Sequence, residues 1–415
     1  MKLNASFLLA VIFLITNQFL IGEPLTLNDC LRIAKENNLE LRQSHFSIDN
    51  ARAGLTEANA SYYPNIGFST SYRSGGNFSD SDISGNYSSG LNASYTLYRG
   101  GSIRAGSKIA NLRIKIAEEN YRQKETEIVL AVKQAFYKIL QIQEQIALIE
   151  NILKRRRENL TQIKLNYSVG RENQPNVAQA EASLSQTEYE YFKAKQNLSL
   201  AKQELNLLLN QPQADIEIIH QNSDIQFPTL DSLIQVAQSQ RPDIISEHYT
   251  KKILEAQLIQ AQSNYLPTLY LSSGYNLSGR EFLEQSASWN AGVNFSLPIF
   301  NGFSTLAKVR QAKIALQQAE LKINSLQNNI IAEVNQAYAN WQLAKKNLEV
   351  SQKTLQAARA AYQLTKLQYE QGRTSYYFVQ QKESELTQAE NANVNALYNL
   401  YTASAVLEKV IGRSN

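Results

Sequence analysis

The placement of eight prolines constrains this chain more than any other feature: Pro24, Pro64, Pro175, Pro212, Pro228, Pro242, Pro267 and Pro298. None falls between Pro64 and Pro175, and none follows Pro298. Proline removes a backbone donor and clashes with the preceding turn, so it breaks helix interiors. Both proline-free stretches are rich in Ala, Leu, Gln, Glu and Lys, which favour helix. Long helices are expected over about 103–169 and about 304–371. At 1.5 Å per residue each would rise about 100 Å. Such a helix cannot be the core of an ordinary compact domain. It needs partners along its flanks, and its apolar residues recur mostly at spacings of three, four and seven, as in coiled coils.

Landmarks in the two halves fall in the same order. Tyr63-Pro64 matches Leu266-Pro267, and Ala34 matches Ala237, at an offset of 203. Leu97-Tyr98-Arg99-Gly100 matches Ile299-Phe300-Asn301-Gly302 at 202, as Tyr167-Ser168-Val169-Gly170 matches Tyr369-Glu370-Gln371-Gly372. A near-constant offset indicates an internal duplication. The expected division is a first repeat over 23–210, a linker over 211–229 and a second repeat over 230–415. Each repeat opens with a helix of about 35 residues, Leu27 to Ala60 and Leu230 to Asn264. Two strands follow, then the long helix. A glycine turn comes next, at Gly170 or Gly372, where glycine permits the positive φ that ends a helix sharply. A return helix closes the repeat over about 176–209 or 376–410.

The strands are expected over about 65–74, 87–98, 268–278 and 288–298. Trp289, Ala291, Val293, Phe295 and Leu297 alternate with Asn290, Gly292, Asn294 and Ser296. Tyr87, Leu91, Ala93, Tyr95 and Leu97 alternate in the same way with Ser88, Gly90, Asn92 and Ser94. Period-two patterning gives one apolar and one wet face. Strands of about 9–11 residues suit a tilted membrane barrel, and aromatic residues near their ends suit an interfacial belt. The candidate lipid-facing residues are Leu91, Tyr95, Trp289, Val293 and Phe295. A soluble sheet buried against helices would show the same alternation. Four strands cannot close a useful barrel, and open edges are not tolerated in lipid, so a membrane reading requires strands pooled from several copies. Two copies would give eight strands and a lumen filled by side chains; three would give twelve.

Composition excludes other classes. Across 415 residues the net charge is only +4, with basic and acidic residues intermixed, unlike a nucleic-acid surface. The single cysteine, Cys30, rules out an intrachain disulfide and any CxxC site. It is expected on the apolar face of the first helix with Leu27, Leu31 and Ala34. His45, His220 and His248 show no ligand spacing. No GxSxG, HExxH, GxxxxGK[ST] or Rossmann glycine motif occurs, so no catalytic, cofactor or metal site is expected. Lys154-Arg155-Arg156-Arg157 reads as a solvated helix face. Residues 1–22 read as an export signal: Lys2 precedes the apolar run Phe7 to Ile15, which is too short for a membrane span.

In this order, three groups of residues carry a resemblance. They are Leu25-Thr26-Leu27-Asn28-Asp29-Cys30-Leu31-Arg32-Ile33-Ala34; the approaches Asn59-Ala60-Ser61-Tyr62-Tyr63-Pro64 and Ala261-Gln262-Ser263-Asn264-Tyr265-Leu266-Pro267; and the exit Ser296-Leu297-Pro298-Ile299-Phe300-Asn301-Gly302. With the duplicated element order, the chain resembles the outer-membrane efflux proteins, the TolC-like channels, over about residues 25–411. That resemblance implies a mainly α fold with a small membrane β-barrel contribution, built as a trimeric tube. It implies a location in the outer membrane extending into the periplasm. The implied partners are outer-membrane lipid, two further copies, a periplasmic adaptor, and an inner-membrane efflux pump or ABC exporter, with no nucleic acid. The chain would be a passive conduit for efflux or type I secretion. A soluble or peripheral periplasmic coiled-coil interaction protein is the alternative. By the same resemblance, Gly170, Arg171, Gly372 and Arg373 would form adaptor-docking tips. Family members often carry Asp six residues after the tip glycine; here those positions are Asn176 and Phe378. Closure is therefore expected from aromatic packing, with Tyr369, Tyr376, Tyr377 and Phe378 as the candidate gate.

Overall fold

The computed structural model describes residues 24–75, 84–212, 216–219, 226–281 and 286–413. The expected export segment 1–22, part of the expected linker 211–229 and His220 lie outside the described residues. The first repeat contains α1 (Leu27–Asn37), α2 (Leu39–Asn59), a 3-10 turn (Ala60–Tyr62), β1 (Asn65–Gly75), β2 (Ser84–Arg99), α3 (Ser102–Ser168) and α4 (Gln174–Leu208). The second contains α5 (Leu230–Gln240), α6 (Pro242–Ser263), β3 (Thr268–Gly279), β4 (Ser286–Ser296), α7 (Ser304–Glu370) and α8 (Tyr376–Val410). The proline-free stretches thus hold two unbroken helices of 67 residues.

The opening helix of each repeat is two helices rather than one of about 35 residues. Thr26 and Asp29 form a reciprocal capping box that starts α1. Asn38 then turns extended, and its side chain explains the break. Its Oδ1 accepts from the Glu40 and Leu41 N–H groups at 2.9 and 3.2 Å, capping α2, while its Nδ2 donates to the Leu208 carbonyl at 2.9 Å. At the equivalent place, 203 residues on, Arg241 is extended before Pro242, since proline disfavours helix in the residue that precedes it. Proline is then well suited to begin α6. Cys30 is fully buried on the inner side of α1, as expected.

Contacts divide the chain into two compact units, each drawing on both repeats. One comprises the chain up to Arg42, Arg122–Arg241 and everything from Asn329 onward; the other comprises Gln43–Tyr121 and Pro242–Asn328.

The second unit contains the sheet, an antiparallel meander in the order β1-β2-β3-β4. The central pairing, β2 with β3, joins the two repeats. Ser107 on α3 donates to Asn59 on α2 at 2.7 Å. Ala105, Ile109 and Leu112 of α3 pack on Ile253 and Ala256 of α6. Lys251 and Glu247 of α6 pair with Glu320 and Lys322 of α7. The helix succession is therefore α2, α3, α6, α7.

The first unit repeats this logic. Arg157 and Lys164 of α3 pair with Glu188 and Glu181 of α4. On its other side, α3 meets α8 through Lys133–Glu408 at 2.6 Å and Gln141–Asn395 at 2.8 Å. Ser351 of α7 donates to Asn393 of α8. The succession is α4, α3, α8, α7. Among the described residues, α3 has a helix on each flank in both units, whereas α7 has a helix on one flank only.

Replacing Asn38 with Ala removes the α2 cap and orphans the Leu208 carbonyl. The expected loss is about 1–2 kcal/mol of stability, measured by chemical denaturation against the exposed control Ser47→Ala.

Candidate functional site

Three surfaces qualify as functional: the two-faced sheet, the open helix flanks and the hairpin tips. Strand register aligns the apolar residues in rows. Phe68, Leu91, Tyr275 and Trp289 are successive partners across all four strands, and Tyr95, Leu271 and Val293 across three. Leu269 and Phe295 continue the face. Leu91, Tyr95, Trp289, Val293 and Phe295 therefore share one side, as the alternation predicted. That side is uncovered: Trp289 is 79% exposed and Val293 67%. Leu97 departs from the expected pattern. A bulge between Thr96 and Tyr98 passes it over, so that Tyr98 rather than Leu97 stands opposite Leu269.

The opposite face is polar and, apart from Arg73 and Arg99, uncharged. Asn92, Gly274 and Asn290 form one row, and Gly90, Asn276 and Ser288 another. Gly274 is crowded by side-chain amides: a Cβ there would lie 2.7 Å from Asn290 Oδ1 and 3.2 Å from Asn92 Oδ1, so these side chains would have to shift. Among the described residues, the outer edges of β1 and β4 have no partner strand.

The open helix flanks carry apolar stripes. On α7, Leu343, Val350, Ala357 and Leu364 are exposed at heptad spacing. The α3 residues 202 places earlier include Gln141 and Arg155, which bind α8. The exposed stripe on α7 is thus the duplicate of a face already occupied on α3. On α4, the other open flank of that unit, Tyr189, Phe192, Leu200 and Leu207 are exposed along one helix face. In the sheet-bearing unit, α7 exposes Ile314 and Leu321 at the same seven-residue spacing.

The two tips have one geometry. Gly170 and Gly372 have φ of 73° and 71°. The Arg171 and Arg373 N–H groups each reach back five residues, to the Asn166 and Gln368 carbonyls, at 2.8 Å. Nothing lies within 4 Å of a Cβ built on either glycine, so φ alone demands glycine there. Both arginines are exposed.

The aromatic residues near the tips divide into two sets. Tyr376 is 4% exposed and packs with Ile163, Val177, Tyr362, Val379 and Leu386 inside the helix pairs. Tyr369 is half-buried, receives the Asn166 amide and donates to Glu172 at 2.9 Å. Burial, reinforced by Glu172, pushes its hydroxyl up to about 12. Tyr377 and Phe378 are 66% and 50% exposed and meet edge to face at 5.5 Å. The expected foursome is therefore two structural tyrosines and two free aromatic residues.

Sequence reasoning missed two features. Glu172 joins the tips, accepting from both Tyr369 and Asn176; it belongs to no motif. The basic run 154–157 is also not uniformly solvated. Arg157 is exposed, but Arg155 turns inward onto Glu383, Thr387 and Glu390 of α8. Arg156 bonds the Ser183 carbonyl and the Thr187 hydroxyl of α4, while Asn159 reaches Glu383 at 3.0 Å. The i+4 spacing of Arg155 and Asn159 was the available signal, but their acidic partner lies more than 220 residues away.

Comparison with known proteins adds the deciding observation. The family described as Outer membrane efflux protein matches residues 30–211 and 233–413, most of both repeats. The chain belongs to the outer membrane efflux protein family. An outer-membrane location follows from that membership. Among curated efflux-family relatives, Probable outer membrane lipoprotein SilC of Salmonella typhimurium is 28% identical over 306 residues, 70% of this chain and 66% of its own. Cation efflux system protein CusC of Escherichia coli K12 is 25% identical, with 72% and 66% covered. These matches span about two thirds of the relatives' length. A crystal structure of CusC has the same fold, with a TM-score of 0.84 at 22% identity over 93% of this chain and 92% of that one. The Campylobacter jejuni CmeC outer membrane channel superposes with a TM-score of 0.79 at 20% identity, covering 93% and 85%. Among the described residues, no helix is long and apolar enough to cross a membrane, and no acidic, His or Cys group is arranged to hold a metal.

Replacing Arg155 with Ala leaves the largely buried Glu390 without its cation and Glu383 with only the longer Arg156 contact at 3.9 Å. The expected cost is about 3–5 kcal/mol, read as a lowered Tm in detergent. Replacing the exposed neighbour Arg157 with Ala is expected to cost under about 1 kcal/mol.

Proposed function

We propose that three copies close into one continuous channel that conducts solutes across the periplasm and outer membrane. The observation that carries this reading is that α7 and α4, at the two ends of one helix succession, each leave an apolar flank open. α7 lacks the neighbour that its duplicate α3 possesses, and α4 exposes an apolar stripe with no helix against it. Pairing α7 of one copy with α4 of the next satisfies both, and pairing β4 of one copy with β1 of the next satisfies the sheet edges. Such head-to-tail contacts close into a ring. Three four-stranded sheets supply twelve strands, enough for an open lumen. The uncovered apolar face then meets lipid, and the Asn, Ser and Gly face lines water. A soluble coiled-coil protein would bury that apolar face, and here it is bare.

In this reading the export signal is 1–22, the linker 211–229 belongs to an equatorial girdle, and the protein is a conduit rather than a catalyst. An inner-membrane efflux pump or ABC exporter supplies the energy through a periplasmic adaptor. The tips at Gly170-Arg171 and Gly372-Arg373 take the adaptor, because the hairpin ends lie farthest along the helices from the strands. Tyr377 and Phe378 narrow the opening, with Tyr369 and Tyr376 holding the helices that carry them.

Mass measurement in detergent is expected to give three copies; a soluble monomer from the periplasmic fraction would overturn the assembly. Val293→Arg is expected to block membrane assembly, at about 2–4 kcal/mol near the bilayer midplane. Asn294→Arg, on the wet face of the same strand, is expected to assemble and change conductance.

The tips give a separate test. Tyr377→Ala with Phe378→Ala is expected to raise resting single-channel conductance. Arg171→Glu with Arg373→Glu is expected to reduce export while trimer levels stay constant. Unchanged conductance removes the aromatic constriction, and normal export removes the docking role.

A further inference from the structure

We infer that Arg99 forms a ring of fixed positive charge inside the barrel and biases the conduit toward anionic solutes. The inference rests on the channel reading above. The four strands contain no Asp, Glu, Lys or His; Arg73 and Arg99 are their only charged residues.

The bulge in β2 decides where Arg99 goes. Regular alternation from Leu91, Ala93 and Tyr95 would place every following odd-numbered residue, including Arg99, on the apolar side. One extra residue in a strand moves all that follow to the opposite face. The register shift between Thr96 and Tyr98 does this: Tyr98 takes the apolar place opposite Leu269, and Arg99 stands opposite Thr268. Thr268 in turn pairs with Ser296, so Arg99 begins a row of the wet face. The bulge thus keeps a guanidinium out of lipid and turns it toward the lumen.

No carboxylate offsets this charge locally. Arg99 makes no ion pair among the described residues. On the elements flanking this end of the sheet, the nearest acidic residues are Glu57, Glu118, Glu255 and Glu320, each several residues removed from the strand ends. Arg73 also lies on the wet face, opposite Asn86, but at the hairpin end, where Asp80 and Asp82 follow in sequence. The second repeat has Asn301 at the place equivalent to Arg99, so a trimer carries three such charges rather than six.

Their reach is sufficient. Twelve strands about 4.8 Å apart and tilted about 40° enclose a ring roughly 24 Å across between backbones. An arginine extending about 6 Å inward leaves the axis about 6 Å away, within the Debye length of about 8 Å at physiological salt. The bias should therefore be strong at low salt and fade near 1 M, where the Debye length is about 3 Å.

The test is the zero-current potential of purified trimers in planar bilayers under a KCl gradient. Arg99→Gln is expected to raise the cation-to-anion permeability ratio by about twofold, and Arg99→Glu to raise it further, with both shifts shrinking at 1 M salt. Arg99→Cys adds a variant modified after assembly. Cys30 is buried, with its thiol pushed up to about 12, and will not compete for the reagent. A cationic thiol reagent is expected to restore the wild-type ratio, and an anionic one to move it the opposite way. Conducting trimers with the same potential in wild type, Arg99→Gln and Arg99→Glu would overturn the role of Arg99. Wild-type trimers that carry no current would instead overturn the channel reading.

Discussion

A helix of 67 residues cannot stand with one flank bare. α3 meets this requirement within the chain, held by α2 and α6 in one unit and by α4 and α8 in the other. Among the described residues α7, its duplicate, has a helix on only one side. The sheet has the same deficit in a different currency, since β1 and β4 each present an unpaired row of backbone donors and acceptors. Neither deficit can be met by refolding one copy. In the proposed assembly both are met by placing the next copy alongside, and the exposed apolar sheet face then meets lipid.

Much of this was legible in the sequence, because the signals were strong and local. Proline placement set the long helices, and period-two alternation set the sheet faces. The two glycines marked the reversals, where an ordinary residue would be strained by the positive φ. The break at Arg241 was also available in Pro242, although apolar periodicity on both sides of it suggested a single helix. Asn38 gave a weaker sign, since asparagine caps helices but also occurs within them.

The parts that escaped depend on distant partners or on a single inserted residue. Arg155 and Arg156 looked like half of a solvated basic run until Glu383, Thr387 and Glu390 came into contact from the other repeat. Tyr376 looked like a gate residue because it sits beside Tyr377 and Phe378, yet one helical step separates a core position from an exposed one. The bulge at Leu97 leaves no mark on the alternation before it and changes the face of every residue after it. The family resemblance gave the general shape of the answer, whereas these side-chain roles came from this chain's own contacts.

The pairing of β2 with β3 has a consequence in time. Leu91 faces Tyr275 across the middle of the sheet, and the intervening chain includes both long-range helices of the first repeat. Contacts so distant in sequence form slowly, because a long loop must close before any pairing rewards it. The first repeat emerging alone can make only the β1–β2 hairpin, which is marginal by itself in water. The apolar face of the sheet is therefore not displayed as a continuous surface until the second repeat has arrived. Late strand pairing thus postpones completion of the apolar face until both repeats have been made, and shortens the interval in which that face is bare to water.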